Sequence, residues 1–217
     1  MLQGISGIYP LADDASRWRH GPETVVAAAA AAGASVVQLR LKSLRDRSAL
    51  ELAQRCRVIC SSQQLLLFVN DRFDLAYLAK ADGVHLGTDD CPPEAIPAEI
   101  RDRLLIGLST HTSEQVHAAA GRPVDYIGYG PVFGTQSKDS EYKSRGIENL
   151  RQAVRAATHP VVAIGGIGLD QAAQVARTGA AAAAVISAIS DAPDPKSATL
   201  ELQAAFSAGQ AERRGSG

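Results

Sequence analysis

Five charged side chains follow apolar runs of this sequence. Arg40 and Lys42 close Gln38-Leu-Arg-Leu-Lys42, Asp71 follows Val69-Asn70, Asp90 ends Gly87-Thr-Asp-Asp90, and Lys138 ends Gly130-Pro-Val-Phe-Gly-Thr-Gln-Ser-Lys138. Cations alone would suit a phosphate. Cations with a pair of carboxylates suit phosphate plus Mg²⁺, because a hard dication takes one or two carboxylates and completes its shell with phosphate oxygens and water. The pattern therefore points to a diphosphate substrate, with Arg40, Lys42 and Lys138 facing its charge and Asp71 and Asp90 as metal ligands. A second anion site is suggested by Gly165-Gly166 and by Ile186-Ser187, whose backbone N–H groups are expected at helix N-termini, with hydroxyls from Thr135 and Ser137. Each residue also has an ordinary explanation. Arg40 and Lys42 suit surface cations, Asn70 and Asp71 suit caps of a helix beginning near Phe73, and Asp89 and Asp90 suit a turn before Pro92 and Pro93. Their recurrence at the ends of successive apolar runs favours a shared site.

The elements that must position these residues follow from the runs themselves. Gly7, Val36, Leu65, Gly83, Leu104, Asp125, Pro160 and Ala183 each open a short β-branched or apolar stretch. Between them lie segments of helix-forming composition, such as Glu23 to Ala32, Asp46 to Cys60 and Leu150 to Ala157. Strand and helix in alternation, with strands apolar on both faces, predict a parallel sheet covered by helices. Eight such units in 217 residues predict a single α/β domain, a (β/α)₈ barrel over 1–208, followed by a polar tail, 209–217, expected to be frayed. A doubly wound sheet shares the alternation, but the turn after the first run, Pro10-Leu-Ala-Asp-Asp-Ala-Ser, has no glycine-rich phosphate fingerprint. In a barrel the strand ends carry the site, which is where the charged residues fall.

Composition narrows the partners. With 22 Lys and Arg against 23 Asp and Glu, the net charge of -1 supplies no general attraction to nucleic acid or an anionic membrane, so any anion must be held locally. The longest apolar run, from Val25 to Ala32, is far short of a membrane span of roughly 20 residues. A soluble, cytoplasmic protein acting on small molecules is expected; a homo-oligomer is neither required nor excluded by the sequence. Cys56, Cys60 and Cys91 lack metal-type spacing and are expected to be structural.

From about Gly7 to Ile189 the sequence resembles the thiamine phosphate synthase family, also called thiamine-phosphate pyrophosphorylase. The resemblance rests on Gln38 to Lys42, Val69 to Arg72, Ala81 to Asp90, Gly130 to Lys138, Ala163 to Ile167 and Val185 to Ile189. It implies an enzyme joining hydroxymethylpyrimidine diphosphate to a thiazole phosphate, with release of diphosphate. It also implies that Gln38, Arg40, Lys42, Asn70, Ser109 and Lys138 contact the pyrimidine diphosphate. By the same resemblance Asp71 and Asp90 bind Mg²⁺, and Thr135, Ser137, Gly166, Ile186 and Ser187 hold the thiazole phosphate. Leu41 stands where the family usually has an acid, Gly134 where proline is common, Ser137 where threonine is usual, and Ala181-Ala182 where Asp-Gly is common. The loop from Gly130 to Gly146 is expected to close over the diphosphate, and His85 and His111 lie where they can donate hydrogen bonds. Two rivals are a metal-independent thiazole tautomerase of the related group, for which the Asp71 and Asp90 pair has no use, and a non-catalytic binder of thiamine precursors.

Overall fold

The structure, a computed structural model, describes residues 4–134 and 143–215. Eight strands run in the order of the sequence: β1 (Gly7–Asp13), β2 (Val36–Arg40), β3 (Leu66–Asn70), β4 (Gly83–Leu86), β5 (Leu105–Thr110), β6 (Tyr126–Tyr129), β7 (Val161–Ile164) and β8 (Ala182–Val185). Each pairs in parallel with its neighbours, and β8 returns to β1, closing the barrel. Every expected run became a strand. The helices are α1 (Pro22–Ala31), α2 (Asp46–Ser62), α3 (Phe73–Leu78), α4 (Ala98–Arg101), α5 (Ser113–Ala119), α6 (Gly146–Ala156), α7 (Leu169–Arg177), α8 (Ser187–Ser190) and α9 (Pro195–Gly215). Among the described residues no helix is long and apolar enough to cross a membrane.

Two apolar layers result from the two faces of each strand. Outward residues such as Val37, Leu39, Leu67, Val69, Val84 and Ile106 pack under the helices. Cys56 and Cys60 lie in that layer, where burial pushes both thiols up to about 12 and makes them poor nucleophiles. Leu41 also packs against this layer. Inward residues form a smaller cluster that includes Tyr9, Leu11, Val36, Phe68, Tyr126, Val162, Ala182 and Ile186. The rings of Tyr9, Phe68 and Tyr126 meet edge-on or tilted, with centroids 5.6 to 6.3 Å apart, and fill the barrel centre. Gly107 gives them room: a Cβ there would lie 2.2 Å from Tyr126 Cζ and 2.5 Å from His85 Nδ1.

The carboxy-terminal segment departs from expectation. Residues 209–215 continue α9 instead of fraying. Gly209 is buried against α7, where a Cβ would meet the Ala173 carbonyl oxygen at 2.3 Å, and Glu212 pairs with Arg177 at 2.8 Å. Glycine there serves a close helix approach, which a reading of composition takes for flexibility.

Candidate active site

Strand alternation explains how the polar residues converge. Gln38, Arg40 and Lys42 are two residues apart, so β2 and its extension carry all three on the inner face. They line a cavity of about 560 Å³ at the carboxy-terminal mouth of the barrel. Asn70, Asp71, Asp90, Ser109, Gly166, Ile186 and Ser187 line the same cavity, so every expected site residue within the described segments reaches it. Thr135, Ser137 and Lys138 lie outside the described residues, as does the part of the expected lid between Gly134 and Lys143.

The carboxylates are set by backbone. Asp71, directly after β3, adopts a left-handed conformation (φ 65°) and its N–H donates to the His85 carbonyl on β4 at 2.7 Å. That turn directs its side chain over the mouth, a conformation aspartate tolerates better than most residues. Asp90 accepts from the Gly87 N–H at 2.6 Å and stands within hydrogen-bonding reach of Asp71. Burial pushes the Asp90 carboxyl up, and the neighbouring Asp71 carboxylate pushes it further in the same direction. Lys42 reaches from β2 to pair with Asp71. Two oxygen donors from separate strand ends, whose mutual repulsion a dication would relieve, fit a hard metal such as Mg²⁺ in its usual role beside phosphate.

The cavity floor is a chain of polar groups in which sequence reading found Gln38, His85 and Ser109 but not the two tyrosines between them. Gln38 Nε2 donates to the Tyr9 hydroxyl at 3.2 Å, the Tyr9 and Tyr126 hydroxyls are 3.1 Å apart, and His85 bridges Tyr126 (2.9 Å) to Ser109 (3.0 Å). Burial raises both tyrosines far above the usual phenol range, so they stay neutral. Their inward register on β1 and β6 was the available signal. His111 Nδ1 lies 2.7 Å from the Gly130 carbonyl oxygen, tying the end of β5 to the start of the β6–α6 loop.

The expectation of a second anion site needs one correction. Helix α7 begins at Leu169, so Gly165-Gly166 form the preceding turn and do not sit at a helix N-terminus. Both are left-handed (φ 104° and 63°), and a Cβ on Gly166 would meet the Gly134 carbonyl oxygen at 2.3 Å. Val132 N–H and Phe133 N–H donate to Ile164 and Gly165 at 2.8 and 3.0 Å, stitching the loop after β6 to this turn. Ile186-Ser187 do precede and open a helix, the single turn α8.

A closed eight-strand parallel barrel, with paired carboxylates and fixed cations gathered at the carboxy-terminal mouth, defines a (β/α)₈ enzyme. Residues 8–189 match the family model for thiamine monophosphate synthase. A thiamine-phosphate synthase from Anaeromyxobacter dehalogenans is 44% identical over 209 residues, 96% of this chain and 91% of that protein. The solved thiamine phosphate pyrophosphorylase from Pyrococcus furiosus superposes with a TM-score of 0.86 at 35% identity, covering 96% of this chain and 99% of that one. A 3-hexulose-6-phosphate synthase at 19% identity and TM-score 0.65 shares the barrel alone. The chain belongs to the thiamine monophosphate synthase family.

Proposed function

We propose that this chain condenses 4-amino-2-methyl-5-hydroxymethylpyrimidine diphosphate with 4-methyl-5-(2-phosphoethyl)thiazole, or its carboxylate, giving thiamine phosphate and diphosphate. The observation that carries the proposal is the meeting of Arg40, Lys42, Asp71 and Asp90, from three strand ends, around one cavity in a chain of this family. Asp71 and Asp90 would hold Mg²⁺, which when bound supplies charge neutralisation to the diphosphate. Arg40 and Lys42, with Lys138 from the loop after β6, bind the diphosphate and stabilise the negative charge that grows as it departs. Gln38 and Ser109, joined through the tyrosines and His85, orient the pyrimidine ring, with Asn70 beside them. Gly166, Ile186 and Ser187, with Thr135 and Ser137, hold the thiazole phosphate, so that the thiazole nitrogen is positioned to attack the pyrimidine methylene carbon. One C–N bond forms, one C–O bond breaks, and no side-chain nucleophile takes part.

The test is diphosphate release by the purified protein given both phosphorylated precursors, with and without Mg²⁺. Mg²⁺-dependent release matched by thiamine phosphate formation is the expected result. Metal-independent rearrangement of the thiazole carboxylate phosphate alone would favour the tautomerase, and binding of both precursors without turnover would favour a non-catalytic barrel.

A further inference from the structure

Arg40 lines the cavity, but the carboxylate that holds it does not. Asp13 closes β1 and lies directly opposite Arg40 in the register of β1 against β2. Its side chain is fully buried. One oxygen accepts from an Arg40 guanidinium nitrogen at 2.5 Å, and the other accepts from the Ala15 N–H at 2.9 Å and the Trp18 indole N–H at 2.8 Å. The following residue serves the same strand: Asp14 N–H donates to the Arg40 carbonyl, and the Asp14 carboxylate accepts from the backbone N–H groups of Lys42, Ser43 and Leu44, each at 2.9 Å. Residue 41 is a leucine turned to the helix layer, so no acid lies between Arg40 and Lys42, and the counter-charge of Arg40 comes from β1.

We propose that Asp13 is a positioning residue for diphosphate recognition, clamping Arg40 at the cavity wall, and that Trp18, bonded to the same carboxylate, senses occupation of that wall. The proposal rests on the diphosphate site described above. Arginine has a long, flexible stem, and a fixed carboxylate behind it removes that freedom before the ligand arrives. One guanidinium nitrogen is committed to Asp13; a guanidinium carries five N–H donors, so others remain for a phosphate. Burial alone would favour a neutral Asp13, yet the bonds from Ala15, Trp18 and Arg40 outweigh it and keep the carboxyl below its usual range, so the clamp is charged at neutral pH.

Trp18 is the one tryptophan of the chain, so intrinsic emission reads this cluster without labelling. Inorganic pyrophosphate with Mg²⁺ is the probe, followed by Trp18 emission and by calorimetry. Pyrophosphate should change the emission of the wild-type protein and leave that of Arg40→Ala unchanged. Asp13→Asn should weaken pyrophosphate about 10- to 100-fold, the usual effect of losing a partner that orients a ligand-binding group. The same variant should raise KM for the pyrimidine diphosphate while KM for the thiazole phosphate stays within about twofold, since Asp13 acts only through Arg40. The double variant Asp13→Asn, Arg40→Ala should bind no more weakly than Arg40→Ala alone. Normal pyrophosphate affinity in Asp13→Asn, multiplying losses in the double variant, or equal KM changes for both substrates would overturn the clamp. If Asp13→Asn does not fold, Trp18→Phe decides: a loss of several-fold in pyrophosphate affinity is expected, and an unchanged affinity rejects the proposal. Pyrophosphate binding that depends on Asp13 in a protein that makes no thiamine phosphate would leave the clamp standing and reject the function; turnover with normal pyrophosphate affinity in Asp13→Asn would do the reverse.

Discussion

Asp71 and Asp90 follow different strands, β3 and β4, and in the proposed function neither alone would hold a dication firmly. Asp71→Ala or Asp90→Ala should therefore lower turnover at least about a hundredfold, the scale of removing a major electrostatic stabiliser. Steady-state diphosphate release against Mg²⁺ concentration measures it, and near-normal Mg²⁺-dependent rates would reject the assignment. Asp13 carries a second consequence, in stability. Its folded carboxyl titrates below the ordinary value of 3.8, so the native state binds fewer protons than the unfolded chain between the two values. The stabilisation from Asp13 is present above the ordinary value and is lost as pH falls through the depressed one. The melting temperature of Asp13→Asn should lie below that of the wild type at pH 6, and the gap should shrink as the pH is lowered below 4; a gap independent of pH would show that the charge is not what stabilises.

At the scale of elements, the turn after β7 and the loop after β6 act as one unit, because Gly166 is left-handed and packs against the backbone of Gly134. Gly166→Ala adds about 1–2 kcal/mol of left-handed strain and a clash that must push the loop away. It should raise KM for the thiazole phosphate about tenfold or more, with a smaller effect on the pyrimidine diphosphate. Initial-rate measurements with each substrate varied separately test this. All eight strands were legible in the sequence because strands covered on both faces read as unbroken apolar runs. Of the helices, α1, α2 and α6 were legible from composition, whereas α4 and α8 span a single turn and leave almost no pattern. The site was legible wherever a polar residue directly follows a run, as with Asn70, Asp71 and Ser109. Asp13 also follows one, but its role depends on which residue of the next strand lies opposite, and spacing along one chain does not carry register. Tyr9 and Tyr126 were hidden for a related reason: inside an apolar strand, an aromatic that fills the barrel and one whose hydroxyl reaches the cavity look alike.

At the scale of the whole molecule, α9 packs across α7, α1 and β1, so this helix ties the first unit of the barrel to a late one. Phe206 is fully buried there, and Phe206→Ala should cost about 3–5 kcal/mol. For a chain of this size that lowers the melting temperature by on the order of 10 °C, while kcat measured well below the transition stays unchanged. Calorimetry and rates at 20 °C separate the two; a lost kcat with a normal melt would place α9 in the chemistry. Ring closure has a further consequence for the chain as it is made. The partner of β1 on one side is β8, which begins at Ala182, so the first strand leaves the ribosome long before that partner exists. Throughout synthesis its backbone donors and acceptors on that side stay open to any passing strand, and a product stopped before Ala182 would keep that open rim for good and be prone to clumping.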